Sequence, residues 1–137
     1  MDDGKVSEVD LHLGVDVLDD EHRQLLVAIS GLVAACRAAA DAAAIDRGAA
    51  ELVACVQDHI RSEEAQMVAW DYPGIDRHRA AHVGLVDRLD AILRPIRHGA
   101  CHDIAEDLLG FLLSWLDEHI LGEDKLFADF LKERGVR

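Results

Sequence analysis

Threonine is absent from this chain, proline occurs only twice, and the aromatics are confined to two Trp, one Tyr and three Phe. A sheet built without threonine and almost without aromatic residues is a poor prospect, whereas abundant Ala and Leu favour helix. Positive charge is scarce as well: 14 Lys and Arg face 27 Asp and Glu, a formal charge of −13. That balance argues against nucleic acid or an anionic membrane surface as partner. It also suits a soluble chain that repels its own copies, so a monomer is expected, with a weak oligomer as the alternative. No run of about 18 apolar residues exists to span a bilayer, and the acidic opening lacks the apolar core of a signal peptide. Cys36, Cys55 and Cys101 form an odd set with no CxxC pair. They describe no disulfide framework, suit a reducing cytoplasm, and are expected to be small core fillers or idle thiols.

What is present is helical periodicity. At 137 residues the chain is expected to form one domain, 1–137, with an irregular arm over 1–17 and a helical bundle over 18–133. Gly14 marks a turn in the arm, and Asp19 or Asp20 can cap a first helix with the stripe Leu25, Leu26, Ile29, Leu32, Val33 and Cys36. The Ala-rich stretch that follows has weak periodicity, and the first break is expected between Asp41 and Gly48. A second helix carries Leu52, Val56, His59, Glu63 and Met67 on one face. Asp71-Tyr72-Pro73-Gly74 ends it. The third presents His78, His82, Leu85, Leu89 and Ile92 and stops near Pro95. The fourth runs from about His102 past Asp124, with Ile104, Leu108, Phe111, Leu112, Trp115 and His119 facing inward. Four such helices joined by short connections predict an all-α, antiparallel up-down four-helix bundle.

The informative feature lies on those stripes. His59/Glu63 and His78/His82 are i,i+4 pairs, which share one helix face with Cβ atoms about 6 Å apart. His22 and His119 sit in line with core leucines. Imidazole is the commonest metal ligand and a carboxylate can bridge two ions, so these groups can converge on one metal pair. A lone histidine on an apolar face is usually a packed core residue. Several on four stripes are hard to explain that way, because polar groups in a core must be satisfied. His12, His98 and His102 fall in the arm or connector and are read as structural. Met67, Trp115 and Leu116 are read as packing residues. The last carboxylate is ambiguous from spacing: Glu123 lies at i+4 from His119, whereas Asp124 lies at i+5, about 140° around an α-helix.

Taken together, Gly14-Val15, Asp19-x-x-His22, His59-x-x-x-Glu63-Glu64-x-x-Met67, Tyr72-Pro73, His78-x-x-x-His82 and Trp115-Leu-x-x-His119-Ile-x-x-x-Asp124 resemble the hemerythrin family, in particular its small single-domain bacterial members. The resemblance covers about residues 14 to 130. It implies Asp124 over Glu123 as the last ligand, leaving Glu123 and Glu64 directly behind the ligands or facing solvent. It further implies a diiron centre cycling between Fe2+ and Fe3+. His78, His82 and His119 would hold one iron, His22 and His59 the other, and Glu63, Asp124 and an oxo or hydroxo group would bridge them. One coordination position would then stay open, which implies reversible binding of O2 for storage, delivery or sensing.

The chain has no Glu-x-x-His pair of the kind found in carboxylate-rich diiron bundles. That tilts the reading toward carrying or sensing O2 and away from catalysis. An enzyme acting on nitric oxide or peroxide, and an iron-storage or iron-sensing protein, remain alternatives, as do manganese and zinc as the metal. The chain departs from the family in lacking a Trp in the arm, in carrying Ile60 where Phe often follows the second-helix histidine, and in carrying Glu21 where Gln is usual. None of these positions is expected to touch a ligand.

Overall fold

The computed structural model describes residues 11–97 and 101–137 of the chain, with side chains at 11–97 and 107–137. Asp16–Arg37 (α1), Ala42–Ala69 (α2), Ile75–Pro95 (α3) and Cys101–His119 (α4) are α-helices, and no strand occurs among the described residues. A π-helical turn at Ile120–Asp124 joins α4 to a final helix, Lys125–Glu133 (α5). The helices pack in a ring, α1 against α2 and α4, and α3 against the same two. With connections this short, neighbours run antiparallel, and the four-helix bundle expected from the stripes is the fold. No described helix is long and apolar enough to cross a membrane.

The stripes expected on α1 and α2 are buried throughout, from Leu25 to Cys36 and from Leu52 to Met67. Burying one such Leu or Met side chain is worth roughly 1.5–3 kcal/mol. On α3 the stripe ends on Leu93, with Ile92 only half-buried. Phe111 of α4, expected inside, is 52% exposed, because the stripe steps from Leu108 to Leu112 and passes it by. His98 and Gly99, and the side chains of His102 and Ile104, lie outside the described residues. Trp115 is buried and donates its indole N–H to the Leu85 carbonyl at 2.8 Å, tying α4 to α3.

The boundaries differ from expectation for local reasons. Helix α1 begins at Asp16 rather than after Asp19 or Asp20. Asp19 is buried in its first turn and accepts the backbone N–H groups of Leu13 (2.8 Å) and Gly14 (3.1 Å). The break between α1 and α2 falls at residues 38–41, ahead of most of the expected window. There Ala39 takes a left-handed φ of 51° and Asp41 caps α2 by accepting from Ala44 N. The described part of the arm, from residue 11, is anchored: Leu11, Leu13 and Val15 are buried, Gly14 turns the chain at φ +89°, and Asp16 N donates to the Arg137 carbonyl. After α2, Asp71 at φ 55° and Gly74 make the bend; a Cβ on Gly74 would meet the Tyr72 ring at 2.9 Å.

Of the cysteines, Cys36 departs from the expected idle thiol and Cys55 does not. Cys36 is disulfide-bonded. Cys55 is a free, half-buried thiol whose pKa is raised mainly by burial. A disulfide is uncommon in a reducing compartment.

Candidate metal centre

Seven polar side chains occupy positions that the apolar stripes would otherwise fill. His22 comes from α1, His59 and Glu63 from α2, His78 and His82 from α3, His119 from the end of α4 and Asp124 from the end of the π turn, and each is at most 5% exposed. They meet between the helices, toward the end of the bundle where α2 turns into α3.

All five imidazoles present Nε2 to the two carboxylates. Asp124 Oδ2 lies 2.9 Å from His22 Nε2 and 3.3 Å from His59 Nε2. Its other oxygen, Oδ1, lies 3.0 Å from His78 Nε2 and 2.9 Å from His119 Nε2. Glu63 Oε1 lies 2.7 Å from His78 Nε2 and 3.0 Å from His82 Nε2, with His59 Nε2 at 3.7 Å. The side chains therefore fall into two groups that could each hold a metal ion. One is Glu63, His78, His82, His119 and Asp124, and the other is His22, His59, Glu63 and Asp124. Both carboxylates belong to both groups.

The π turn explains how Asp124 arrives there. Its hydrogen bonds run i to i+5 instead of i to i+4, so it adds one residue to the turn and brings positions five apart onto one face. Asp124 thereby replaces Glu123 beneath His119. Everything beyond it shifts by one position too: Phe127, Ala128 and Leu131 are fully buried, while Leu126 is 44% exposed. Glu123 points outward and pairs with Arg77, whose Nε lies 3.1 Å from its Oε1.

Without an ion this cluster is only partly satisfied. Glu63 Oε2, His22 Nδ1, His78 Nδ1 and His119 Nε2 are buried with no hydrogen-bond partner. The last of these is 2.9 Å from Asp124 Oδ1 but is not aligned to donate to it. Orphaned buried polar atoms carry a cost of about 1–3 kcal/mol each. The titrations are perturbed in the same sense. Burial would lower the pKa of His78, but hydrogen bonds to Asp124 and Glu63 outweigh it and raise the value from 6.5 to about 9. His59 is likewise held well above its ordinary value, against burial, by Asp124 and Glu21. Burial would raise Asp124, yet the imidazoles of His119, His22, His59 and His78 around it hold it well below the usual carboxylate range. Imidazole and carboxylate are the donors that iron, manganese and zinc accept, so the residues present fit such a group.

Two further acids complete the surroundings, and one of them corrects the sequence reading. Glu64, expected outside the ligand set, takes the Nδ1–H of His82 at 2.7 Å. Glu21, expected to touch no ligand, takes the Nδ1–H of His59 at 2.8 Å. Sequence reasoning missed this contact because Glu21 is on α1 and His59 on α2; its place directly before His22 was the only signal. A surface cavity of about 480 Å³, lined by Glu21, Gln24, Glu51, Cys55, Asp58, His59 and Ser62, opens beside this contact. His12, read as structural, lies 3.1 Å from Asp19 in the arm, away from the centre.

Comparison with known proteins gives one family. Residues 13–131 match the family model described as Hemerythrin HHE cation binding domain. The chain is 32% identical over 123 residues to a bacteriohemerythrin of Stenotrophomonas maltophilia, covering 90% of this chain and 78% of that protein. It is 28% identical, with the same coverage, to bacteriohemerythrins of Pseudomonas paraeruginosa and Pseudomonas aeruginosa. No solved structure matches it.

Proposed function

This chain belongs to the hemerythrin family, and we propose that it holds two iron ions at the seven-residue centre and binds O2 reversibly there, for storage, delivery or sensing. The observation that carries the reading is the division of Asp124: one oxygen faces His22 and His59, and the other faces His78 and His119. A carboxylate split in this way can serve two ions at once. Under this reading His78, His82 and His119 hold one iron, His22 and His59 hold the other, and Glu63 and Asp124 serve both.

Two ferrous ions would supply the electrons that reversible uptake of O2 requires. The chain's own contribution is positional. Four helices fix the imidazoles with Nε2 inward, and apolar neighbours such as Leu18, Ile29 and Ile120, all fully buried, keep bulk water away. The additional acids Glu21 and Glu64 stand behind His59 and His82, on the Nδ1 side, so neither is placed between the imidazoles to deliver a proton. Acids that stand behind the ligands, and not between them, favour holding O2 over cleaving it.

Optical spectra of the iron-loaded protein, taken first under argon and then in air, test this. An absorption band that forms in air and vanishes when oxygen is removed is expected. A spectrum unchanged by air, or turnover of peroxide or nitric oxide above that of free iron, would overturn it.

A further inference from the structure

Five imidazoles face the centre, but they are not equivalently supported from behind. His22 and His78 have buried Nδ1 atoms with no partner. His59 and His82 each direct Nδ1 at a carboxylate, Glu21 and Glu64 respectively. Both supports cross between helices, from α1 to α2 and from α2 to α3. They are also divided evenly: His59 belongs to one of the two candidate metal groups and His82 to the other.

We propose that Glu21 and Glu64 are positioning residues, each fixing one imidazole for one of the two metal positions, with Glu21 the firmer of the two. The inference rests on the two-iron reading above. A neutral imidazole carries its proton on one nitrogen and its lone pair on the other. An acceptor at Nδ1 holds a proton there and fixes the ring's rotation, so Nε2 is the nitrogen that faces the centre and gives up its proton when a metal binds. His59 and His82 are therefore set for a metal before it arrives.

The difference between the two supports follows from what holds each acid. Glu21 is gripped at both oxygens: Oε1 accepts from His59, and Oε2 accepts from the Ser62 hydroxyl at 2.6 Å. Ser62 in turn lies 3.4 Å from the Gln66 amide nitrogen, one turn along α2. Glu64 has one short bond, to His82; its other oxygen is 3.5 Å from Nε of the half-exposed Arg79. An acid held at two points loses less freedom when it orients its histidine, so its removal is felt more.

The test loads the full-length protein with ferrous ion under argon and follows iron release to a colorimetric ferrous chelator. Wild type is compared with Glu21→Leu, Glu21→Gln, Glu64→Leu and the double Leu variant. Outer supports of ligating histidines are typically worth about 10–100-fold in metal affinity. Glu21→Leu is expected to release one of two irons about that much more readily and to keep the second. Glu64→Leu should do the same with a smaller effect, and the double variant should lose both. Glu21→Gln keeps an acceptor and should fall between wild type and Glu21→Leu. Retention of both irons by Glu21→Leu at the wild-type rate overturns the inference and leaves the two-iron reading intact. So does equal loosening of both irons together with a lowered Tm of the metal-free protein, the mark of a merely structural role. Failure of the wild type to take up two irons overturns both.

Discussion

His119 and Asp124 are five residues apart, yet Nε2 of the first lies 2.9 Å from Oδ1 of the second. Only the π turn at Ile120–Asp124 permits that approach on a continuous helix. The consequence is a sharp difference between adjacent acids. Asp124→Ala removes the one side chain whose two oxygens face both histidine groups, and is expected to abolish binding of two irons. Glu123→Ala removes only a partner of the exposed Arg77 and should leave iron uptake unchanged. Iron content per chain after anaerobic loading separates the two; equal losses would mean that the register is wrong.

The perturbed titrations predict how the metal-free protein responds to pH. His78 binds its proton more tightly when folded, so it stabilises the fold fully below 6.5 and loses that contribution as pH rises through about 9. Asp124 works in the opposite direction: its stabilisation is present above its ordinary value of 3.8 and is lost as pH falls through its depressed value. Tm of the metal-free protein should therefore decline between pH 7 and about 9. In the iron-loaded protein a metal replaces the proton at the nitrogen, and that decline should disappear. Thermal unfolding across this range, with and without iron, checks it.

Asp19 predicts a coupling between the arm and the bundle. It is 4% exposed and accepts from two backbone N–H groups of the arm. Asp19→Ala leaves the buried Leu13 N–H unsatisfied, which should cost about 1–3 kcal/mol of stability. Amide exchange should accelerate over residues 11–15 before it does in α2 or α3. Uniform acceleration through the molecule would show that the arm is not a separate unit.

Much of this structure is legible in the sequence. The stripe from Leu52 through His59 and Glu63 to Met67 is strictly periodic, and a regular α-helix translates such a pattern directly into a buried face. The same holds for His78 and His82. What resisted reading was whatever broke the period or crossed between helices. The π turn shifts the stripe by one residue, so spacing alone favours Glu123; the shift does leave a trace, since Phe127, Ala128 and Leu131 continue from Asp124 rather than from Glu123. Phe111 fits the three- and four-residue spacing between Leu108 and Trp115, but it lies at the edge of that stripe and Leu112 takes the inward place. The contact of Glu21 with His59 depends on how α1 and α2 face each other, and periodicity within one helix does not encode that. Nor could spacing reveal the oxidised state of Cys36, because pairing of cysteines distant in sequence depends on the packing of the helices.

The arrangement of the seven side chains into two groups that share Glu63 and Asp124 is tested most directly by titrating the metal-free protein with ferrous ion under argon. Two irons per chain should bind, and Glu63→Ala, which removes a shared carboxylate, should weaken both positions together. An end point of one iron per chain, or loss of only one iron in Glu63→Ala, would contradict the shared two-metal centre.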